Sequence, residues 1–154
     1  MSVLRIARAV YDLIRAHGEE TDPFECCGAL LGRPTEDGWW IEAAVRAENS
    51  RTGSAHNRYE IAPGELIRIE RQARDLGLEI AGFYHSHPGH PAQWSVTDLA
   101  EAHWLGCSYV ITEVAHGRAA NTNAFLLAGA AEENKRFEPQ EIQIDERPVR
   151  PQPS

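Results

Sequence analysis

Basic residues are scarce in this chain. Lys and Arg number 15 against 23 Asp and Glu, a formal net charge of −8. With no basic run anywhere, that balance excludes general affinity for nucleic acid or an anionic membrane surface. Cysteine is scarce too: Cys26, Cys27 and Cys107 make neither a disulfide framework nor a Cys-x-x-Cys pair. They are expected as buried free thiols in a reducing compartment. No apolar stretch approaches the roughly 20 residues that span a bilayer. The start, Met1-Ser-Val-Leu-Arg-Ile-Ala-Arg8, mixes charge into its apolar residues and is not expected to act as a signal peptide. The expected compartment is the cytoplasm. There is no internal repeat.

What remains is an ordinary globular composition of 154 residues, enough for one domain with a real core. Val3, Ile6, Ala7, Val10, Leu13 and Ile14 recur at helical spacing and predict an amphipathic helix ending near Gly18. Cys26 to Leu31 reads as a buried strand, Glu36-Asp-Gly38 as a hairpin turn and Trp39 to Val45 as its partner. Asn49 to Asn57 reads as a loop and Tyr59-Glu-Ile61 as a brief strand. Pro63 suits a first helical turn, with Leu66, Ile69, Ala73 and Leu76 as the apolar stripe and Gly77 as the stop. Glu79 to Tyr84 predicts a strand, Ser95 to about Leu105 a helix, and Ser108 to Glu113, Asn123 to Leu127 and Arg136 to Ile144 further strands. Residues 1–145 are expected to form the domain. Residues 146–154, rich in proline and charge, are expected as a disordered tail. Helices interleaved with strands imply a mixed sheet with helices packed on it.

The chemistry concentrates in His85-Ser86-His87-Pro88 and, seven residues on, Ser95-Val-Thr-Asp98. Histidines at i and i+2 share a face if the backbone is extended. Asp98, eleven residues past His87, can return to that face as the chain turns into a helix. Two imidazoles and a carboxylate are a three-ligand set for a divalent metal, most often zinc, and three ligands leave a position open for chemistry. Ser95-Val-Thr-Asp98 also has the form of a helix-capping box, which taken alone accounts for both residues. With the histidines upstream, Asp98 is expected as a ligand while Ser95 caps the helix and turns its hydroxyl to the metal. His90 reads as a solvated loop residue and His103 as a structural residue on the following helix. A hydrolytic site also needs a general base. Glu19, Glu20, Glu25, Glu60, Glu65 and Glu79 are candidates, and Glu25 has the advantage of standing at the head of an apolar strand.

Glutamate, then His-Ser-His-Pro, then Ser-x-x-Asp resembles the JAMM (MPN+) metalloproteases, a family that includes the deubiquitinases of the proteasome lid and many small prokaryotic members. Asp22-Pro-Phe-Glu25-Cys-Cys-Gly-Ala-Leu-Leu-Gly32 resembles the first strand of the family with its glutamate, and Arg58-Tyr-Glu-Ile61, Gly82-Phe-Tyr-His85 and Ser108-Tyr-Val-Ile111 resemble further blocks of its bacterial branch. The likeness covers roughly residues 1 to 130. It implies a cytidine-deaminase-like α-β-α sandwich with a mixed central sheet, one zinc ion on His85, His87 and Asp98, Glu25 as general acid/base and Ser95 as oxyanion stabiliser. It implies hydrolysis of amide or isopeptide bonds after the Gly-Gly end of a ubiquitin-like or sulfur-carrier protein. A glycine tail offers little besides backbone hydrogen bonds, and the loop Asn49 to Glu60 is the candidate contact for it. Trp94 departs from the proline that many bacterial relatives carry there, and Glu113 and Ala115 to Thr122 depart as well. Three other readings compete. A zinc deaminase requires His-x-Glu followed later by Pro-Cys-x-x-Cys, a combination that is absent. A non-catalytic scaffold of the same family, and a metallopeptidase acting on ordinary peptides or a small amide, are the others.

Overall fold

The computed structural model of the chain describes residues 1–51 and 58–153. Seven strands and three helices follow the order β1 (Val3–Ala7), α1 (Arg8–Thr21), β2 (Cys27–Thr35), β3 (Gly38–Ala47), α2 (Pro63–Leu76), β4 (Glu79–Pro88), α3 (Val96–Glu101), β5 (Ser108–Ala115), β6 (Arg118–Ala128) and β7 (Arg136–Asp145), with a 3-10 turn at Glu132–Asn134. The sheet is mixed, with spatial order β1-β3-β2-β4-β5-β6-β7. The pairs β1–β3, β1–β7 and β4–β5 are parallel and the rest antiparallel.

The mixed α/β class expected from the sequence is what the chain adopts. The sheet is not an open layer, however. β1 pairs with both β3 and β7, so the two ends meet and the sheet closes. Side chains along its strands still alternate between two buried clusters, as period-two geometry requires. Leu30, Ala44, Tyr84 and Val110 pack with Val10 and Ile14 of α1. Ala29, Leu31, Phe83, Tyr109 and Ile111 pack with Ile69 and Ala73 of α2.

Four expectations need correction. Val3 to Ala7 is a strand, not the first turns of a helix; it is buried on both faces between β3 and β7 and so reads as a near-continuous apolar run. α1 does not stop at Gly18 but runs to Thr21. Gly18 is there for closeness, since a Cβ on it would stand 3.1 Å from Val114 Cγ2 and 3.2 Å from Ser86 Cβ. α3 ends at Glu101, well short of Leu105. Tyr59-Glu-Ile61 forms no strand, although Ser50 N donates to Glu60 O at 2.9 Å. Of the loop Asn49 to Glu60, residues 52–57 lie outside the described residues. α2 behaves as read, from Pro63 in its first turn to Gly77 in the left-handed region at φ 69°.

Residues 146–153, expected as a disordered tail, form no helix or strand and lie along β3. Arg147 sits over the Trp40 ring, and Arg150 donates to Leu76 O. β1 covers β3 only from Gly38 to Ile41. Beyond it, the Gln152 amide accepts from Ala44 N at 3.0 Å and donates to Glu42 O at 3.2 Å, supplying the strand edge with the partners it would otherwise lack.

β4 can lie close beside β5 only because residue 82 has no side chain. A Cβ on Gly82 would stand 1.8 Å from the Ser108 carbonyl oxygen. Gly82→Ala is therefore expected to cost about 3 kcal/mol or more, read as a fall in thermal midpoint of about 6–12 °C. Gly64→Ala on α2, where a new Cβ meets nothing within 4 Å, should instead be neutral or stabilising by up to about 1 kcal/mol.

Candidate metal centre

β4 carries its chemistry at its C-terminal end, beside the parallel strand β5 and ahead of the crossover that contains α3. His85 and His87 fall on the Phe83 face, toward the α2 cluster, and both are buried. Tyr84 and Ser86 face α1. The crossover then bends back through Gly89 to Trp94 and starts α3 at Ser95.

That helix start brings Asp98 to the histidines. The capping box is real: Asp98 N donates to Ser95 Oγ at 3.0 Å, and Ser95 N donates to Asp98 Oδ2 at 2.9 Å. The same carboxylate lies 3.3 Å from His85 Nε2 through Oδ1 and 3.2 Å from His87 Nε2 through Oδ2. The two Nε2 atoms are 3.1 Å apart. Capping and convergence on the histidines are thus one arrangement, because the bond from Ser95 N fixes the rotamer that aims the carboxylate.

The ring orientations are set from behind. His87 Nδ1 donates to Pro91 O at 2.8 Å, which leaves the Nε2 lone pair facing Asp98. Tyr59 stacks on His85 with ring centroids 4.4 Å apart and planes at 24°. Burial opposes charge on Asp98, but the two imidazoles set against it, with the Ser95 N–H, outweigh burial and hold the carboxyl well below the usual range. Burial pushes the His85 imidazole down, so it stays neutral.

The two Nε2 atoms, 3.1 Å apart, each have one oxygen of Asp98 at 3.2–3.3 Å, Oδ1 at His85 and Oδ2 at His87, a spacing close to that of ligands on one tetrahedral ion. A tetrahedron with bonds of about 2.0–2.1 Å has edges of about 3.3–3.4 Å. The donor chemistry, two imidazole nitrogens and a carboxylate, suits zinc. His85, His87 and Asp98 form one of two donor groups compact enough to hold a metal among the described residues; the other is Glu25, His87 and His90.

Glu25 reaches the site through strand pairing, since Cys27 is the partner of His85 across β2 and β4. It is 3% exposed, and its Oε1 has no hydrogen-bond partner among the described residues. Burial pushes its carboxyl up to about 8. Two side chains fix its backbone. Asn49 Nδ2 donates to Glu25 O at 3.3 Å and to Arg58 O at 2.9 Å. Ser86 Oγ accepts from Cys26 N at 2.9 Å.

The remaining candidates separate from this centre. Ser95 is exposed and its oxygen is used as a cap, which leaves its O–H free to donate. Glu20 pairs with Arg46, Glu65 with Arg68 and Glu60 with Arg51. Glu19 accepts from Ala119 N, and Glu79 stands at the opposite end of β4 from the histidines. His103 lies beyond the end of α3 and pairs with Glu132 at 2.9 Å. Trp94 packs on Phe137, centroids 5.7 Å apart. His17-Gly18-Glu19 is a His-x-Glu triplet, yet His17 is buried on the far face of β4, where its Nδ1 meets Tyr84 Oη at 2.8 Å. Asn49, Tyr59 and the close approach of His90 to Glu25 and His87 escaped the sequence reading. Only Asn49 carried a local signal, as an Asx residue opening a turn, with Oδ1 accepting from Arg51 N at 3.0 Å.

The model for prokaryotic homologues of the JAB domain matches residues 7–128 of the chain. The desampylase of Haloferax volcanii is 33% identical over 114 residues, which span 71% of this chain and 80% of that protein. A probable TtuB-protein conjugate cleaving protease of Thermus thermophilus is 30% identical over 102 residues, spanning 66% of this chain and 65% of that protein, just under two thirds of its length. Among solved structures, a protein from Salinibacter ruber superposes with a TM-score of 0.70 at 35% identity, covering 92% of this chain and 91% of that one. Protein DSY2949 from Desulfitobacterium hafniense superposes with a TM-score of 0.79 over 94% of each chain; at 24% identity it shows the fold alone.

Two predictions follow from the packing behind the site. Ser86→Ala leaves the buried Cys26 N–H without an acceptor and should cost about 1–3 kcal/mol, read in denaturant unfolding. Burial pushes the His17 imidazole down to about 4 from an ordinary 6.5. The unfolded chain then binds the proton more readily, so stability present above pH 6.5 is lost as pH falls toward 4. Unfolding midpoints across that window should decline, and in His17→Gln the decline should shrink.

Proposed function

The chain belongs to the family of prokaryotic homologues of the JAB domain, and from that premise we propose that it is a zinc metallopeptidase of the JAMM type. It hydrolyses the amide or isopeptide bond that follows the C-terminal Gly-Gly of a ubiquitin-like or sulfur-carrier protein. One observation carries the reading: two histidine Nε2 atoms and the Asp98 carboxylate converge beside a buried, unpartnered glutamate. The names of the relatives, a desampylase and a conjugate cleaving protease, favour a protein conjugate as substrate. In this reading the two-faced sheet is the cytidine-deaminase-like sandwich of the family, curled until β1 meets β7. The three cysteines, buried and unpaired, accord with the reducing cytoplasm.

His85 Nε2, His87 Nε2 and the Asp98 carboxylate would hold the zinc. Zinc bound there would lower the pKa of a water to about 7 and polarise a carbonyl. Glu25 takes the proton of the attacking water and returns it to the leaving amine. The Ser95 hydroxyl donates to the carbonyl oxygen as negative charge develops on it. Asn49 and Ser86 keep the Glu25 backbone in place by the bonds described above. The tail arrives through a cleft of about 370 Å³ beside Tyr59, floored by Leu66, Phe83, Trp104 and Tyr109. Glycines carry no side chain to grip, so backbone hydrogen bonds along Arg58 to Ile61 hold an extended tail there.

The test is intact mass spectrometry of ubiquitin-like and sulfur-carrier proteins extended beyond Gly-Gly, incubated with the zinc-loaded protein. A mass loss ending at Gly-Gly is expected. Glu25→Gln should slow it by roughly 10²–10⁴-fold while zinc uptake persists, and Asp98→Asn or a chelator should abolish it by removing the metal. Cleavage of short peptides with no folded carrier would favour an ordinary metallopeptidase. No cleavage by the fully metallated protein would leave a scaffold.

A further inference from the structure

We propose that Glu25 and His90 form a second divalent-cation site beside the first, and that filling it stops the reaction. The ligand atoms of Glu25, His87 and His90 all lie within 4.8 Å of one another. His90 stacks on His87 with centroids 4.2 Å apart and planes at 23°, so the loop that carries it is seated against the centre. Its Nδ1 donates to Pro88 O at 3.0 Å, which leaves the Nε2 lone pair free for an ion. Glu25 supplies the independent sign of a missing cation: a carboxylate 3% exposed whose Oε1 has no partner among the described residues. A carboxyl buried without a hydrogen-bond partner is costly, ionised or neutral, and an ion at that oxygen would relieve it.

His87 cannot serve both sets. Its Nδ1 is spent on Pro91 O, and its single remaining lone pair faces Asp98. In the loaded protein the second ion therefore has two protein donors, Glu25 and His90, and completes its shell with water, so it binds more weakly than the first. Imidazole with carboxylate suits zinc and its first-row neighbours. The inhibitory consequence rests on the hydrolytic reading given above: a Glu25 carboxylate engaged as a ligand cannot accept the proton of the attacking water. The site itself does not depend on that reading.

The experiment is equilibrium uptake of Zn²⁺, counted by elemental analysis and by calorimetry, beside hydrolysis rates at one equivalent and at excess zinc. Wild type is expected to take a tight equivalent and then a weaker one, with the rate falling roughly a hundredfold as the weaker one fills. His90→Ala should lose the weaker equivalent, keep the tight one, and hydrolyse at the wild-type rate at one equivalent with no inhibition by excess zinc. Asp98→Asn should lose the tight equivalent and retain the one that depends on His90. A single equivalent in wild type up to millimolar zinc overturns the proposal. So does a second equivalent that survives His90→Ala, which would place the ion elsewhere, for example at His103 and Glu132. The expected uptake pattern without hydrolysis at any zinc level would sustain the site and overturn the hydrolytic reading instead.

Discussion

The centre depends on one carboxylate being held in one rotamer. Asp98 accepts from Ser95 N at 2.9 Å and stands 3.2–3.3 Å from two imidazole nitrogens. Without the helix start at Ser95 that carboxylate would be a mobile surface acid. Without the strand end at His87 it would be merely a cap. The fold supplies both at once, because β4 and β5 are parallel neighbours and the crossover between them must climb out of the sheet and return. α3, six residues long, is enough helix to fix a cap. The centre therefore needs little of the crossover beyond its turn at Pro91 and its cap at Ser95.

The legible parts of the sequence were those with local causes. Period-two alternation put His85 and His87 on one face, the capping box announced α3, and Pro63 with Gly77 bounded α2. The rest depended on partners far along the chain. Val3 to Ala7 fits helical spacing as well as it fits a strand buried on both faces, and only pairing with β3 and β7 decides between them. Glu25 could not be chosen from six glutamates by spacing alone. It becomes distinct once β2 aligns Cys27 with His85 and the other glutamates find arginines, a backbone amide or the far end of β4. Gly18 was read as a stop because glycine usually punctuates helices, whereas here it admits Ser86 and Val114 to close contact.

β4 acts as a partition between two kinds of polar chemistry. On the α1 face every polar group of the strand is used: Tyr84 Oη meets His17 Nδ1, and Ser86 Oγ accepts from Cys26 N. On the other face, one residue away in each direction, polar atoms are left over. His85 Nδ1 and Glu25 Oε1 are buried without partners among the described residues, and two Nε2 atoms confront each other at 3.1 Å. Unpaired buried polar groups each cost on the order of 1–3 kcal/mol. They persist only where surrounding structure leaves them no alternative.

That asymmetry bears on why the satisfied face exists at all. A site poor in internal partners pulls its members toward whatever water or counter-charge is near, so it needs an anchor that does not yield. The bond from Cys26 N to Ser86 Oγ lies within two residues of Glu25, His85 and His87, and Gly18 brings α1 down onto Ser86 from behind. The residue between the two histidines is thus the link between the rigid and the unsatisfied sides of the sheet. Shortfall on one face is tolerable because the opposite face holds the same three residues of backbone fixed, and a cation is the one visitor whose charge and size answer the shortfall directly.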